Sequence, residues 1–327
     1  MPTPVLVILI AVAALVIFVF GFTYYAYSVS FKRKRRPIDL VKDLGIEIAG
    51  GVDLKGLADE LRKLPFEEVK ITSHDGLTLV GRYYSVEKGA PVHILCHGYN
   101  SSPVHDFCAS VDMNLEAGHN VLLIYQRAHG RSEGRSLTFG YKESRDVSSW
   151  VDYIIEREGD GVEILLAGVS MGAATVIIAS ALDLPSNVKC VVADCPYSTA
   201  KEEIMLTAKR MGFPPRLVYP FVRLGGAIFD GFDPYLASPV EAARASKLPV
   251  LLIHGEEDSF VPKYMSDAIY AAHTGVMEYH VFEGADHGMS CLVDPERYHA
   301  ICAEFASRYI GRAKAEMPNT ANTTENK

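Results

Sequence analysis

From Val5 to Tyr27 the chain carries no charged side chain. In hydrocarbon every backbone N–H and C=O must find its partner within the segment, so an apolar run of about twenty residues spans a bilayer only as a helix. Tyr24, Tyr25 and Tyr27 close the run, where an aromatic belt meets the membrane interface. Lys32-Arg33-Lys34-Arg35-Arg36 follows, ended by Pro37. A secretory signal has its positive charge ahead of the apolar run, whereas here no Lys or Arg precedes it. The pattern predicts an uncleaved anchor over residues 1–30, with a signal peptide as the minor alternative. A core helix would show a polar face that this run lacks. The basic cluster predicts that residues 31–66, a basic and helical linker, and the domain beyond lie in the cytoplasm.

What remains is long enough for one large domain of about 250 residues. The formal net charge of −8 argues against a nucleic-acid partner, which needs clustered Lys and Arg. The cysteines (Cys96, Cys108, Cys190, Cys195, Cys291 and Cys302) form no CxxC pairs and have no second ligand at zinc-site spacing. Cys96 and Cys190 fall in apolar runs, where a reduced thiol behaves as a small hydrophobe.

Leu54, Leu57, Leu61 and Leu64 have helical spacing. From Glu67 the pattern changes: EEVKITS, Asp75-Gly76 and LTLVGRYYSV read as a hairpin on a tight turn. Short apolar runs then alternate with amphipathic stretches. The runs are Val92–Cys96, Val121–Tyr125, Glu163–Val169, Cys190–Ala193, Val250–Ile253 and Tyr279–Phe282. Tyr141–Ile155, Met171–Leu182, Lys263–Ala272 and Pro295–Ile310 read as helices. This alternation predicts an α/β domain over 67–311 with a mostly parallel sheet. The interval 198–247 is too long for an ordinary connection and predicts a small helical cap. The polar tail 312–327 has no periodicity and reads as disordered. Asn322-Thr323-Thr324 fits a glycosylation sequon of a kind common by chance.

Chemistry concentrates at strand ends. The run Glu163–Ala167 leads straight into Gly168-Val169-Ser170-Met171-Gly172 and then a small-residue helix. Such a strand–turn–helix holds Ser170 proud of the sheet at a helix N-terminus, where developing negative charge is favoured. A nucleophilic serine needs a base, and the base an orienting acid. Asp258 lies in the loop after Pro249–Gly255, and His287 just past the last strand. Glu256, Glu257, Asp194 and Asp286 compete as the acid. His254 and His129 compete as the base, His254 being placed rather to support the acid loop. The amide of Met171, next to the serine, and that of Tyr99, in the turn His97-Gly98-Tyr99-Asn100, are the candidate oxyanion donors.

HGYNSS, YQRAHGRSEG, GVSMGA, HGEEDSFVP and GADHG, in that order, resemble the landmarks of the α/β-hydrolase superfamily. The resemblance covers about residues 67–311. It is strongest to bacterial membrane-anchored or cytoplasmic hydrolases related to serine aminopeptidase and dipeptidyl-peptidase catalytic domains. It implies the α/β-hydrolase fold: an eight-stranded, mostly parallel sheet with helices on both faces. Tyr125-Gln126-Arg127 stands where the family has Asp-x-Arg, which implies that Gln126 and Arg127 order loops near the site.

The expected activity is hydrolysis of a carboxylic ester through an acyl-enzyme, with no metal or organic cofactor. The expected partners are a small acyl ester or peptide, which an adjacent membrane anchor allows to be lipophilic, and the membrane. A peptidase would need acidic groups for a free amine. Glu202-Glu203 is such a pair, although its position reads as a solvated helix start. A non-enzymatic, membrane-tethered scaffold is the remaining class, and it has no physical need for serine, acid, base and oxyanion donors together. The apolar cap residues, Phe213 to Phe232, either line an acyl pocket or pack two helices together.

Overall fold

The computed structural model describes residues 4–33 and 52–311. Lys34–Arg36 of the basic cluster, most of the expected linker and the expected disordered tail lie outside these residues.

In chain order the helices are α1 (Pro4–Ser30), α2 (Leu54–Lys63), α3 (Pro103–Phe107), α4 (Val111–Glu116), α5 (Glu143–Glu158), α6 (Met171–Ala179), α7 (Ala200–Arg210), α8 (Pro215–Asp230), α9 (Pro239–Ala245), α10 (Tyr264–Ala272), α11 (Ser290–Val293) and α12 (Pro295–Ser307). The strands are β1 (Glu67–Thr72), β2 (Thr78–Tyr84), β3 (Val92–Cys96), β4 (Asn120–Tyr125), β5 (Ile164–Val169), β6 (Val188–Asp194), β7 (Val250–Gly255) and β8 (Met277–Phe282). They form one sheet in the order β1-β2-β4-β3-β5-β6-β7-β8. The pairs β1–β2 and β2–β4 are antiparallel and the rest parallel.

The apolar runs become strands because a parallel sheet covered on both faces buries both sets of alternating side chains. β3, β4 and β7 are buried along their whole length. On one face Trp150, Val151 and Ile154 of α5 pack with Ile94, Ile164 and Leu166. On the other, Cys302, Phe305 and Ala306 of α12 pack with Leu165, Val192 and Ile253. At the edge β1 is half exposed, as its mixed sequence requires.

Two details differ from the expectation. The first hairpin closes on three residues rather than a tight Asp-Gly pair. Ser73 N–H donates to Leu77 C=O at 2.8 Å, and Gly76 takes φ +88°. The wider loop turns the Asp75 carboxylate onto Arg127, described below. The cap proper is α7, α8 and the short turn Pro234–Leu236, because α9 packs beneath it against α6 and α10 as part of the sheet's own cover.

Helix α1 is long and apolar enough to cross a membrane. Its last turns are not a free tether. Ala26, Tyr27 and Phe31 belong to a core cluster with Phe139, Met171, Val222 and Phe232. Phe31 is 0% exposed, stacked edge-on against Phe139 and Phe232. Leu137 N–H donates to Phe31 C=O at 2.9 Å, Arg33 N–H to Arg135 C=O at 2.9 Å, and Tyr27 and Ser136 share a hydroxyl hydrogen bond of 2.6 Å. The packed domain therefore begins inside the helix, several residues before the linker expected from residue 31.

Candidate active site

The turn after β5 has the strain its sequence implies. Ser170 stands at φ +56°, ψ −118°, a region few non-glycine residues adopt. Its amide is held by the Asp194 carbonyl at 2.8 Å. Glycine is required on both sides. A Cβ on Gly168 would lie 2.2 Å from the Gly172 carbonyl carbon, and one on Gly172 would lie 1.8 Å from Cys96 O. The sharp turn aims the Ser170 hydroxyl off the sheet at the start of α6.

Three residues from three strand ends meet there. Ser170 Oγ lies 2.9 Å from His287 Nε2, and His287 Nδ1 lies 2.7 Å from Asp258 Oδ2. With Nδ1–H donating to the carboxylate, Nε2 carries the lone pair that accepts the serine proton. The other Asp258 oxygen accepts the amides of Phe260 (2.9 Å) and Val261 (2.6 Å). His254 Nε2 lies 3.2 Å from Asp258 Oδ2 and 2.8 Å from Val261 O, while its Nδ1 meets Ser266 Oγ at 2.6 Å. It therefore braces the acid loop.

The rival acids are placed otherwise. Glu256 and Glu257 are exposed. Asp286 uses its carboxylate on the amides of Ser259 (2.8 Å) and His287 (2.7 Å). Asp194 is buried at the end of β6, its Oδ1 without a partner among the described residues.

Burial opposes the charged form of His287, but the Cys195 sulfur and the Asp258 carboxylate outweigh it, so its pKa is raised well above 6.5. Cys195 is itself pushed up to about 11 by burial and is a neutral thiol at pH 7, so the carboxylate is the charge that acts. Asp258 is held well below the usual carboxylate range: burial raises it, and His287 and His254 more than reverse that. The neutral imidazole is the form that accepts a proton, so activity is lost as pH falls through the His287 pKa. The acid limb of kcat/KM against pH is expected above 6.5. Asp258→Asn should move that limb to lower pH while cutting kcat by about 10⁴-fold. A limb that stays in place would show that Asp258 does not set the His287 charge.

The loop after β3 is fixed from behind. Gly98 N–H donates to Asp106 Oδ2 at 2.7 Å, and Asn100 N–H to His129 Nε2 at 3.0 Å. The Tyr99 amide between them has no hydrogen bond among the described residues, and the Met171 amide, in the first turn of α6, has no carbonyl one turn back to take it. His129 and His97 are kept neutral by burial, each with Nδ1 on a carbonyl (Arg127 O and Gly98 O) and Nε2 accepting an amide. Gln126 joins this support through His97 O (2.5 Å) and Thr175 Oγ1 (3.2 Å). Arg127 forms a fork with Asp146 (2.6 Å to each oxygen) and reaches Asp75 at 2.8 and 3.0 Å. Arg127→Ala strips a buried carboxylate of its partner and is expected to cost about 3–5 kcal/mol, read as a lowered thermal midpoint.

Among the described residues, two groups of side chains have metal-ligand spacing: Cys195, Asp258 and His287, and His74, Asp75 and Asp146. The imidazole and carboxylate of the first are hydrogen-bonded to each other, and the imidazole also to Ser170, while Arg127 already supplies the positive charge between the acids of the second.

Two pockets open on Ser170. One is lined by Tyr99, Ser101, His105, Asp106, Asp194 and His287. The other is apolar: Phe139, Tyr197, Phe260, the α7 residues Ile204, Thr207 and Ala208, and the cap residues Met211, Phe213, Val218 and Val222. Part of the cap's apolar set thus lines a pocket, while Phe221 and Phe229 pack on α1. Glu203 also lines it, contrary to the solvated start expected for Glu202-Glu203. It is buried, accepts the Thr207 hydroxyl at 3.1 Å, and its Oε2 has no partner among the described residues. Burial pushes it up to about 7. Glu202 is half-buried and accepts from Ser198 at 2.5 Å. Sequence reasoning named Glu203 but read it as solvated, because helix registry in the cap was undetermined. It missed Cys195, at φ +48° beside His287, although its place just after β6 was a signal.

Residues 91–235 match the model of the alpha/beta hydrolase fold family. The chain is 24% identical to the uncharacterized protein YqkD of Bacillus subtilis, over 84% of this chain and 88% of that protein. It is 25% identical to the protein bem46 of Schizosaccharomyces pombe, over 57% of each. Among solved structures it is similar to the Pyrococcus furiosus esterase Pf2001, with TM-score 0.61 and 25% identity, covering 81% of this chain and 97% of that one. The ferulic-acid-bound Est1E of Butyrivibrio proteoclasticus shares the fold at TM-score 0.59 and 22% identity, covering 74% and 98%. The sheet order, the serine turn and these matches define one class, a hydrolase built on a doubly covered parallel sheet. The chain has the α/β-hydrolase fold.

Proposed function

We propose that the protein is a serine hydrolase that cleaves carboxylic esters. The observation that carries this reading is the relay from Ser170 Oγ through His287 to Asp258, set beneath an apolar pocket. His287 takes the Ser170 proton as Oγ attacks the acyl carbon. The oxyanion is held by the Tyr99 and Met171 amides. The imidazolium, stabilised by Asp258, returns the proton to the leaving alcohol as the ester C–O bond breaks. Water, deprotonated by His287, then releases the acid from the acyl-enzyme. The solved Pyrococcus furiosus esterase of similar fold supports the choice of ester.

A peptidase reading draws on one observation, Glu203 in the pocket. The test is a panel of p-nitrophenyl esters against aminoacyl-nitroanilides, with Ser170→Ala as the blank. Ester turnover that vanishes in the variant supports the reading, and nitroanilide turnover alone overturns it. We further propose that α1 is a membrane anchor with the domain on the cytoplasmic side, as the basic cluster argues. A cysteine-accessibility experiment that finds the C-terminal tail outside the cell would overturn that topology.

A further inference from the structure

We infer that the pocket in front of Ser170 is loaded from the bilayer, α1 forming one wall and the cap the other, and that its substrate is a long-chain acyl ester resident in the membrane. This rests on the ester-hydrolase reading above. Five residues of α1 line the pocket: Phe22, Tyr25, Ala26, Val29 and Ser30. The first four, with spacings of three, four and seven, share one helical face. A different part of the same turns, Thr23 and Tyr27, packs on α8 so closely that a Cβ on Gly225 would lie 2.7 Å from Tyr27 Cβ. The helix is therefore a fixed wall.

The wall is continuous with the spanning segment. At 1.5 Å per residue, residues 5–24 are about 30 Å long, the thickness of the hydrocarbon core. The pocket-lining face thus begins at the edge of the hydrocarbon and runs through the headgroup layer, where the ester groups of membrane lipids lie. The cap has the surface such a position requires. Leu217, Leu224 and Ile228 repeat along one face of α8 and are 68%, 44% and 52% exposed. Phe221 and Phe229, on the same helix, stack on Phe22 and Phe20 of α1. An apolar face joined to a membrane span is seated on lipid, which has no hydration to lose. The wall also reaches the reacting centre, because the Tyr99 hydroxyl donates to the Ser30 carbonyl at 3.3 Å. One end of α1 is thereby tied to the loop that supplies a candidate oxyanion donor.

The test uses the full chain in phosphatidylcholine vesicles, with 4-methylumbelliferyl oleate in the bilayer and 4-methylumbelliferyl butyrate in the water. The oleate-to-butyrate turnover ratio is expected to fall at least tenfold in a Leu217→Ser, Leu224→Ser, Ile228→Ser variant. It is expected to fall similarly in Val29→Trp, which narrows the pocket rather than the seat. Ratios within twofold of the parent in both variants, with butyrate still hydrolysed, would overturn bilayer loading and leave the ester reading standing. Hydrolysis of neither ester by the parent would instead sink the ester reading, and this inference with it.

Discussion

Ser170→Ala is expected to lower kcat on a carboxylic ester by about 10⁵–10⁶-fold, His287→Ala by about as much, and the double variant by little more. The non-additivity follows from the geometry. With Ser170 Oγ 2.9 Å from His287 Nε2, the base has nothing to activate once the hydroxyl is gone, and the hydroxyl has no proton acceptor once the imidazole is gone. The residual rate comes from the pocket and the amide donors, which neither substitution touches. Losses that multiplied would mean that serine and histidine act in separate steps. Single-turnover kinetics on purified full-length variants, folded as judged by unchanged melting, make the measurement.

Phe31→Ala is expected to destabilise the folded domain by about 3–5 kcal/mol. Phe31 is wholly buried and edge-stacked on Phe139 and Phe232, and its carbonyl takes the Leu137 amide. Truncating the ring leaves a cavity among residues that come from both the sheet side and the cap. Leu15→Ala, on the exposed part of α1, is the control and should leave the melting temperature nearly unchanged. Phe31 follows directly on the last residue of that helix, so the two variants differ chiefly in position relative to the packed domain. Equal effects would mean that the helix end is a tether. Removing residues 1–31 should be worse than either, since it takes Ala26 and Tyr27 from the core and one wall from the pocket.

The central strands were legible because both faces of the parallel part of the sheet are buried, so β3, β4 and β7 write themselves as largely apolar runs. Val92–Cys96 agrees with the structure residue for residue. The serine turn was legible because Gly168 and Gly172 are positions where no Cβ fits. Strand-end order put Asp258 and His287 at the positions from which the structure brings them to Ser170. What escaped was set by tertiary contact. Helix α1 is apolar all round, so nothing in its pattern distinguishes the turns left exposed from those that face Phe139 and Val222. Glu203 follows a charged neighbour at a helix start, and only the packing of α7 over the site decides that one of the pair is buried. The wider hairpin turn sets Asp75 against Arg127, a partner far along the chain that the local sequence does not reveal.

The most direct test of the central claim, that Ser170 is a nucleophile activated by His287, is covalent labelling of the full-length protein with a fluorophosphonate, followed by peptide mapping in a mass spectrometer. The account predicts one adduct on the hydroxyl of Ser170 within Gly168–Gly172, absent from Ser170→Ala and strongly slowed in His287→Ala. No adduct on the folded protein, or an adduct on another serine that persists in Ser170→Ala, would contradict it.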